Sequence, residues 1–148
     1  LLLGLYIPDD TLTQSAVESI IGMPAKYMES KKEQRPHVQR ETISYTALEK
    51  DPRSLQPVNL YYLKENYDDE ALAHKTFSEI ISGNGGLSGQ SSVAGLGDEA
   101  WLHSDQQNFS LLVVRKKNHL IRLKINKLPP TYSSKELLAV SRQILSEL

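Results

Sequence analysis

Asp98, Glu99, His103 and Asp105 are the densest set of potential ligands and proton carriers in the chain. On an extended strand Glu99 and His103 fall on one side, as do Trp101 and Asp105. Ser91 or Ser92, His103 and Asp98 also supply the three residue types of a nucleophilic triad. In such a triad the imidazole takes the hydroxyl proton and the carboxylate orients the imidazole. The sequence lacks the Gly-x-Ser-x-Gly elbow that presents such a serine, although Gly86-Leu-Ser-Gly89 comes near it. A metal site needs three or four convergent ligands, and this stretch holds one histidine. Without chemistry, Asp98 reads as a turn residue whose carboxylate accepts N–H bonds from the preceding loop. Glu99 and His103 then read as ordinary surface groups.

Two other stretches carry charge or glycine in patterns that bind ligands. Arg115, Lys116, Lys117, His119, Arg122, Lys124 and Lys127 make the C-terminal hairpin basic, and Arg122 and Lys124 share its outward face. Such a face can meet anionic lipid or glycan. It can equally be a solvated sheet surface whose charges discourage edge pairing. Trp101 can add to an aromatic patch with Tyr61 and Leu63, or pack in the core. The candidate binding set is therefore Asp98, Glu99, Trp101, His103, Arg122 and Lys124. Residues 83–89, Gly-Asn-Gly-Gly-Leu-Ser-Gly, mimic a phosphate loop. Phosphate loops follow a strand and open a helix, whereas these glycines follow a helix and read as a mobile linker.

Composition narrows the classes. The 148 residues carry 17 basic and 18 acidic side chains, a formal charge of −1. Nucleic-acid binding draws most of its affinity from phosphate neutralisation, so that balance argues against it. The absence of cysteine excludes thiol catalysis, zinc–cysteine sites, iron–sulfur clusters and disulfides. No cofactor or structural metal is indicated. No apolar run approaches the ~20 residues of a membrane span. The apolar start, residues 1–5, reads as a first core segment or as the remnant of a trimmed export signal.

The elements that must position these groups follow from periodicity. Ala16, Val17, Ile20 and Ile21 predict a first helix over residues 13–21, capped by Thr11 or Thr13 and ended by Gly22. Residues 29–40 are polar without a period and read as an exposed connection, with at most a short strand at 25–28. Ile43, Tyr45 and Ala47 alternate with Thr42, Ser44 and Thr46, predicting a half-buried strand. Val58, Leu60 and Tyr62 predict a second strand after a turn at Asp51-Pro-Arg53. Asp68 or Asp69 caps a second helix with Ala73, Thr76, Phe77, Ile80 and Ile81 on its apolar stripe. Residues 83–92 read as a flexible loop. A short strand and a tight hairpin come next, with Asn118 expected at positive φ and Ile121, Leu123 and Ile125 inward. Ser133 and Glu136 predict a capping box for the last helix, whose stripe holds Leu137, Ile144 and Leu148. The order is helix, two strands, helix, three strands, helix. It predicts one α+β domain over residues 1–148, with a five-stranded, largely antiparallel sheet covered by three helices.

Val17-Glu-Ser-Ile-Ile-Gly22, Ile43-Ser-Tyr45, a capped helix with Phe77, Gly95-Leu-Gly-Asp-Glu-Ala100 and the hairpin at Arg115-Lys-Lys-Asn118 together have a family look. On these motifs the chain resembles small exported bacterial lipoproteins of actinobacterial type. It is similar also to the extracellular sensor domain of some bacterial Ser/Thr kinases, with a PsbP-like sandwich. The resemblance implies a place outside the cytoplasm, with a membrane tether outside the given sequence, and no established chemistry. The resulting expectation is a non-enzymatic binding or sensing module of the envelope. Its partner would be a small molecule, a glycan or an envelope protein. A hydrolase built on the Ser, His and Asp residues around 88–105 and a structural accessory subunit of an envelope complex are the alternatives.

Overall fold

The computed structural model describes residues 12–148. The apolar residues 1–5 and the alternative cap Thr11 lie outside the described residues. The elements run α1 (Gln14–Ile21), β1 (Ala25–Arg35), β2 (Val38–Lys50), β3 (Pro57–Tyr67), α2 (Glu70–Gly83), β4 (Gln90–Ser92), β5 (Glu99–Ser104), β6 (Phe109–Lys116), β7 (His119–Asn126) and α3 (Ser134–Ser146). The seven strands among the described residues join one sheet in the order β1-β2-β3-β7-β6-β5-β4. Every neighbouring pair is antiparallel. Two meanders, β1–β3 and β4–β7, thus meet where β3 pairs with β7, and α2 connects them.

The α+β class holds, but the sheet has seven strands where the sequence predicts five. Both missed strands are edges. β1 occupies most of the stretch read as an exposed connection, and only Ala25 in it is buried. A strand with neither face buried shows no alternation, so periodicity cannot reveal it. Its state comes from its partner: Arg35 to Glu29 pair in register with Val38 to Ser44, across a turn with His37 at φ 68°. β4 is three residues long, too short for any pattern. It pairs with β5 through Gln90↔His103 and Ser92↔Trp101. The loop before β4 is tied rather than free. The Gln90 side-chain amide donates to the Asn84 and Leu87 carbonyls.

The strand faces follow the predicted alternation. Ile43, Tyr45 and Ala47, Val58, Leu60 and Tyr62, and Ile121, Leu123 and Ile125 all join the larger core. α1 and α3 cover this face, contributing Val17, Ile20, Leu137 and Ile144. The two helices are stitched together. Ser133 N donates to the Ile20 carbonyl at 2.9 Å, and Thr131 Oγ1 to the Ile21 carbonyl at 2.6 Å. The capping box at α3 is therefore only half formed. Ser133 Oγ accepts from Glu136 N, while the Ser133 N–H goes to α1.

α2 packs on the opposite face, where Phe77 joins Trp101, Val113 and Leu120, with Ile80, Ile81, Tyr67 and Leu111 at the margin. Asp69 caps it, accepting from Leu72 N at 2.8 Å. Positive φ in the β6–β7 turn falls on Lys117 (54°) and not on Asn118. Asn118 is held by Tyr67 instead: its Nδ2 donates to the Tyr67 carbonyl, and its own carbonyl accepts from Tyr67 N.

Phe77 is 5% exposed at the centre of the contact between α2 and the sheet. Phe77→Ala is expected to cost about 3–5 kcal/mol through lost burial and the cavity left behind. Urea or guanidinium unfolding checks this, and an unchanged midpoint with unchanged slope would contradict the packing.

Candidate functional site

The Gly95–Leu96–Gly97 turn sets the start of β5. Leu96 is buried, and Gly97 has φ +60°. A Cβ at Gly97 would lie 2.6 Å from the Arg115 carbonyl oxygen and 2.6 Å from Val114 Cγ1, so only glycine lets the turn approach β6 this closely. Asp98 therefore meets the β6–β7 turn. Its N–H donates to the Arg115 carbonyl at 2.8 Å, and Oδ2 accepts from Lys117 N at 2.6 Å. The sequence places these bonds on the preceding loop; they run instead to this distant hairpin. The Arg115 guanidinium bridges the acids, 3.4 Å from Asp98 Oδ2 and 2.9 Å from Glu99 Oε1. Glu99 also meets His74 Nδ1 of α2 at 2.7 Å. Glu99 is thus a link between β5, β6 and α2, and not a free surface group.

The remaining candidates also have partners. Trp101 is 3% exposed beneath α2, its Nε1 donating to Gln90 Oε1 at 3.2 Å. Ala100, one residue earlier, packs into the larger core on the other face. His103 is buried rather than superficial. Its Nε2 lies 3.1 Å from the Ser88 carbonyl, which can only accept, so Nε2 carries the proton. Its ring stands edge-on to Phe109, with centroids 4.9 Å apart. Arg122 leaves the solvated face for Glu65, which is 4% exposed, and bonds it at 2.5 Å. Arg40 Nε approaches the same carboxylate at 3.1 Å. A buried carboxylate is tolerated only with such partners. Of the six only Asp98 and Lys124 are exposed, and Lys124 alone of these two has no ion-pair partner among the described residues.

This arrangement does not assemble a triad. Asp98 lies in the bend before β5, and His103 is four residues further along the strand than Glu99, ~13 Å at strand rise. Ser91 pairs with Leu102 and so faces away from His103. Among the described residues no three His, Asp or Glu converge as a metal site.

His103 and Lys124 do come together, with residues that the sequence does not single out as a group. They line an open depression of about 390 Å³ with Asn84, Asn108, Phe109, Leu111, Asn126 and Lys127. One wall is the C-terminal end of α2, another the β5–β6 loop, the third the end of β7. The loop is shaped by Asp105, whose carboxylate accepts from the backbone of Gln107, Asn108 and Phe109 and from Asn108 Nδ2. Burial pulls the Asp105 pKa upward. The Gln107 backbone bond, the Asn108 side-chain and backbone bonds and the Phe109 bond outweigh it, holding the carboxyl well below the usual range. Lys127 has φ 58°, and its N–H donates to the Asn108 carbonyl at 2.5 Å, closing the floor. Asparagines near turns and chain ends look individually ordinary, and their convergence is not a sequence signal.

The lining carries two lysines and no carboxylate, and among the described residues neither lysine makes an ion pair. A second depression of about 400 Å³ lies at the β1–β3 end, lined by Lys32, Arg40 and Lys64 against Glu33 and Glu41. Its charges meet each other: Lys32 lies 4.0 Å from Glu41, and Glu33 is held by Lys31 and Arg35. Comparison with protein-family models, curated proteins and solved structures finds no match to the chain.

Gly95, at φ +73°, has open space where a Cβ would stand, unlike Gly97. Gly95→Ala is expected to cost about 1–2 kcal/mol, the left-handed penalty alone. Gly97→Ala adds the collision with β6 and should cost at least about twice as much. Equal unfolding midpoints for the two variants would contradict the close approach.

Asp105 has a lowered pKa in the fold, so its contribution is fully present above the unfolded-state value of roughly 4 and lost as pH falls below it. Asp105→Asn should therefore flatten the loss of stability below about pH 4 relative to the parent chain. Parallel acid-unfolding curves for the two proteins would show that the carboxylate is not held this way.

Proposed function

We propose that this chain is a non-enzymatic binding or sensing module that receives a small anionic ligand in the depression between α2, the β5–β6 loop and the end of β7. The observation that carries this reading is the pair Lys124 and Lys127, unmatched by any carboxylate of the described residues in a preformed concavity. Asp98, Glu99 and Glu65, by contrast, are each engaged by a named cation. An unmatched pair of cations in a walled space favours an anion. The volume falls at the small end of the range for ligand sites. The engagement of Asp98 by the β6–β7 turn and of His103 by Ser88 supports binding over hydrolysis. The sequence likeness to exported lipoproteins and kinase sensor domains supports a place outside the cytoplasm, in a bacterial envelope.

The test is a titration of ¹⁵N-labelled protein with sodium acetate and with inorganic phosphate, followed by amide shifts. Saturable shifts are expected at Asn108, Asn126 and Lys127, weakening at least about tenfold in Lys124→Ala/Lys127→Ala with the thermal midpoint retained. Shifts that map elsewhere, or an affinity indifferent to both substitutions, would sink the proposal.

A further inference from the structure

We infer that the ligand of this depression is a sugar acid: a single polyhydroxylated ring bearing one carboxylate. This rests on the anion-binding reading above and narrows it.

The argument starts from three amides whose orientation is dictated by their partners. Asn126 Oδ1 accepts from Asn59 N at 2.8 Å, so the amide must leave its NH₂ free as a donor. Asn84 Nδ2 donates to the Ile80 carbonyl at 2.7 Å, which leaves its Oδ1 free as an acceptor. Asn108 Nδ2 donates to the Asp105 carboxylate at 2.8 Å, which leaves a second acceptor. The lining thus offers two cations, the NH₂ of Asn126 and the second N–H of Asn84 and Asn108 as neutral donors, and two amide acceptors. A bare carboxylate has no donor for the acceptors. Hydroxyl groups donate and accept, so a polyol satisfies both kinds. An ammonium group would also satisfy the acceptors, but Lys124 and Lys127 repel it. Phe109 supplies an apolar surface for the C–H face of a ring.

The anion is a carboxylate rather than a phosphate because of the helix. Phosphate sites use helix N-termini, where N–H groups and the positive dipole end converge. Here Asn84 is the C-cap of α2. The negative end of the dipole penalises a dianion more than a singly charged group.

The experiment measures dissociation constants of the parent protein for glucuronate, glucose, acetate, glucose 6-phosphate and alanine by the same amide shifts. Glucuronate is expected to bind at least about tenfold more tightly than each of the others, a factor that two or three added hydrogen bonds supply. Asn84→Ala, with its thermal midpoint checked, should cut glucuronate affinity about fivefold and leave acetate unchanged. Acetate equal to glucuronate would overturn the polyol and leave the anion reading standing. Glucose equal to glucuronate, or no binding by any anion, would overturn both. Tighter binding of glucose 6-phosphate or alanine would replace the sugar acid by that class.

Discussion

The β6–β7 hairpin is apolar on both faces, and the rest of the structure follows from what has to cover it. Leu112, Val114, Ile121 and Leu123 point to one side, Val113 and Leu120 to the other, all nearly inaccessible to water. A sheet buried on both sides needs helices on both sides. α1 and α3 take the first face together, bound to each other through Ser133 and Thr131. Among the described residues α2 takes the second alone, through Phe77.

One helix cannot cover a face that two helices cover opposite. Where α2 runs out, the sheet's second face turns polar. Glu65 is buried there between Arg40 and Arg122, with β2, β3 and β7 each contributing one member of the cluster. At the C-terminal end of α2 the same shortfall opens the depression that holds Lys124 and Lys127. The candidate site is thus a by-product of unequal coverage by the described elements: a gap that none of their side chains fills, walled by backbone that other bonds already hold.

The edges are handled differently from the centre. β1 is long, but it is charged on both faces and bulged between Tyr27 and Glu29, which deters pairing with another chain. β4 is short enough to offer little template. Charge on this protein therefore serves mainly to fix strands and guard edges. That is why the chemical residues nearest each other in sequence, from 98 to 105, separate into structural duties.

The sequence by itself determined what burial repeats locally. The cap Ser133, the left-handed Gly22 and the inward sets of β2, β3 and β7 are each legible within a few residues, and the caps of α1 and α2 to within one of two residues, Thr11 or Thr13 and Asp68 or Asp69. So are the α+β class and the apolar face of α2, because a periodic pattern records which side of an element meets the core. Only the tertiary structure decided the rest. β1 and β4 are strands because neighbours supply their hydrogen bonds, a condition that leaves no alternation in their own residues. Asp98 bonds the β6–β7 turn because Gly97 lets two backbones approach. The depression joins residues 84, 103, 108, 124, 126 and 127, and its three asparagine amides take their free ends from partners elsewhere in the chain. Hydrogen-bond partnership and unmatched charge are properties of neighbours in space, and a linear sequence does not say who those neighbours are.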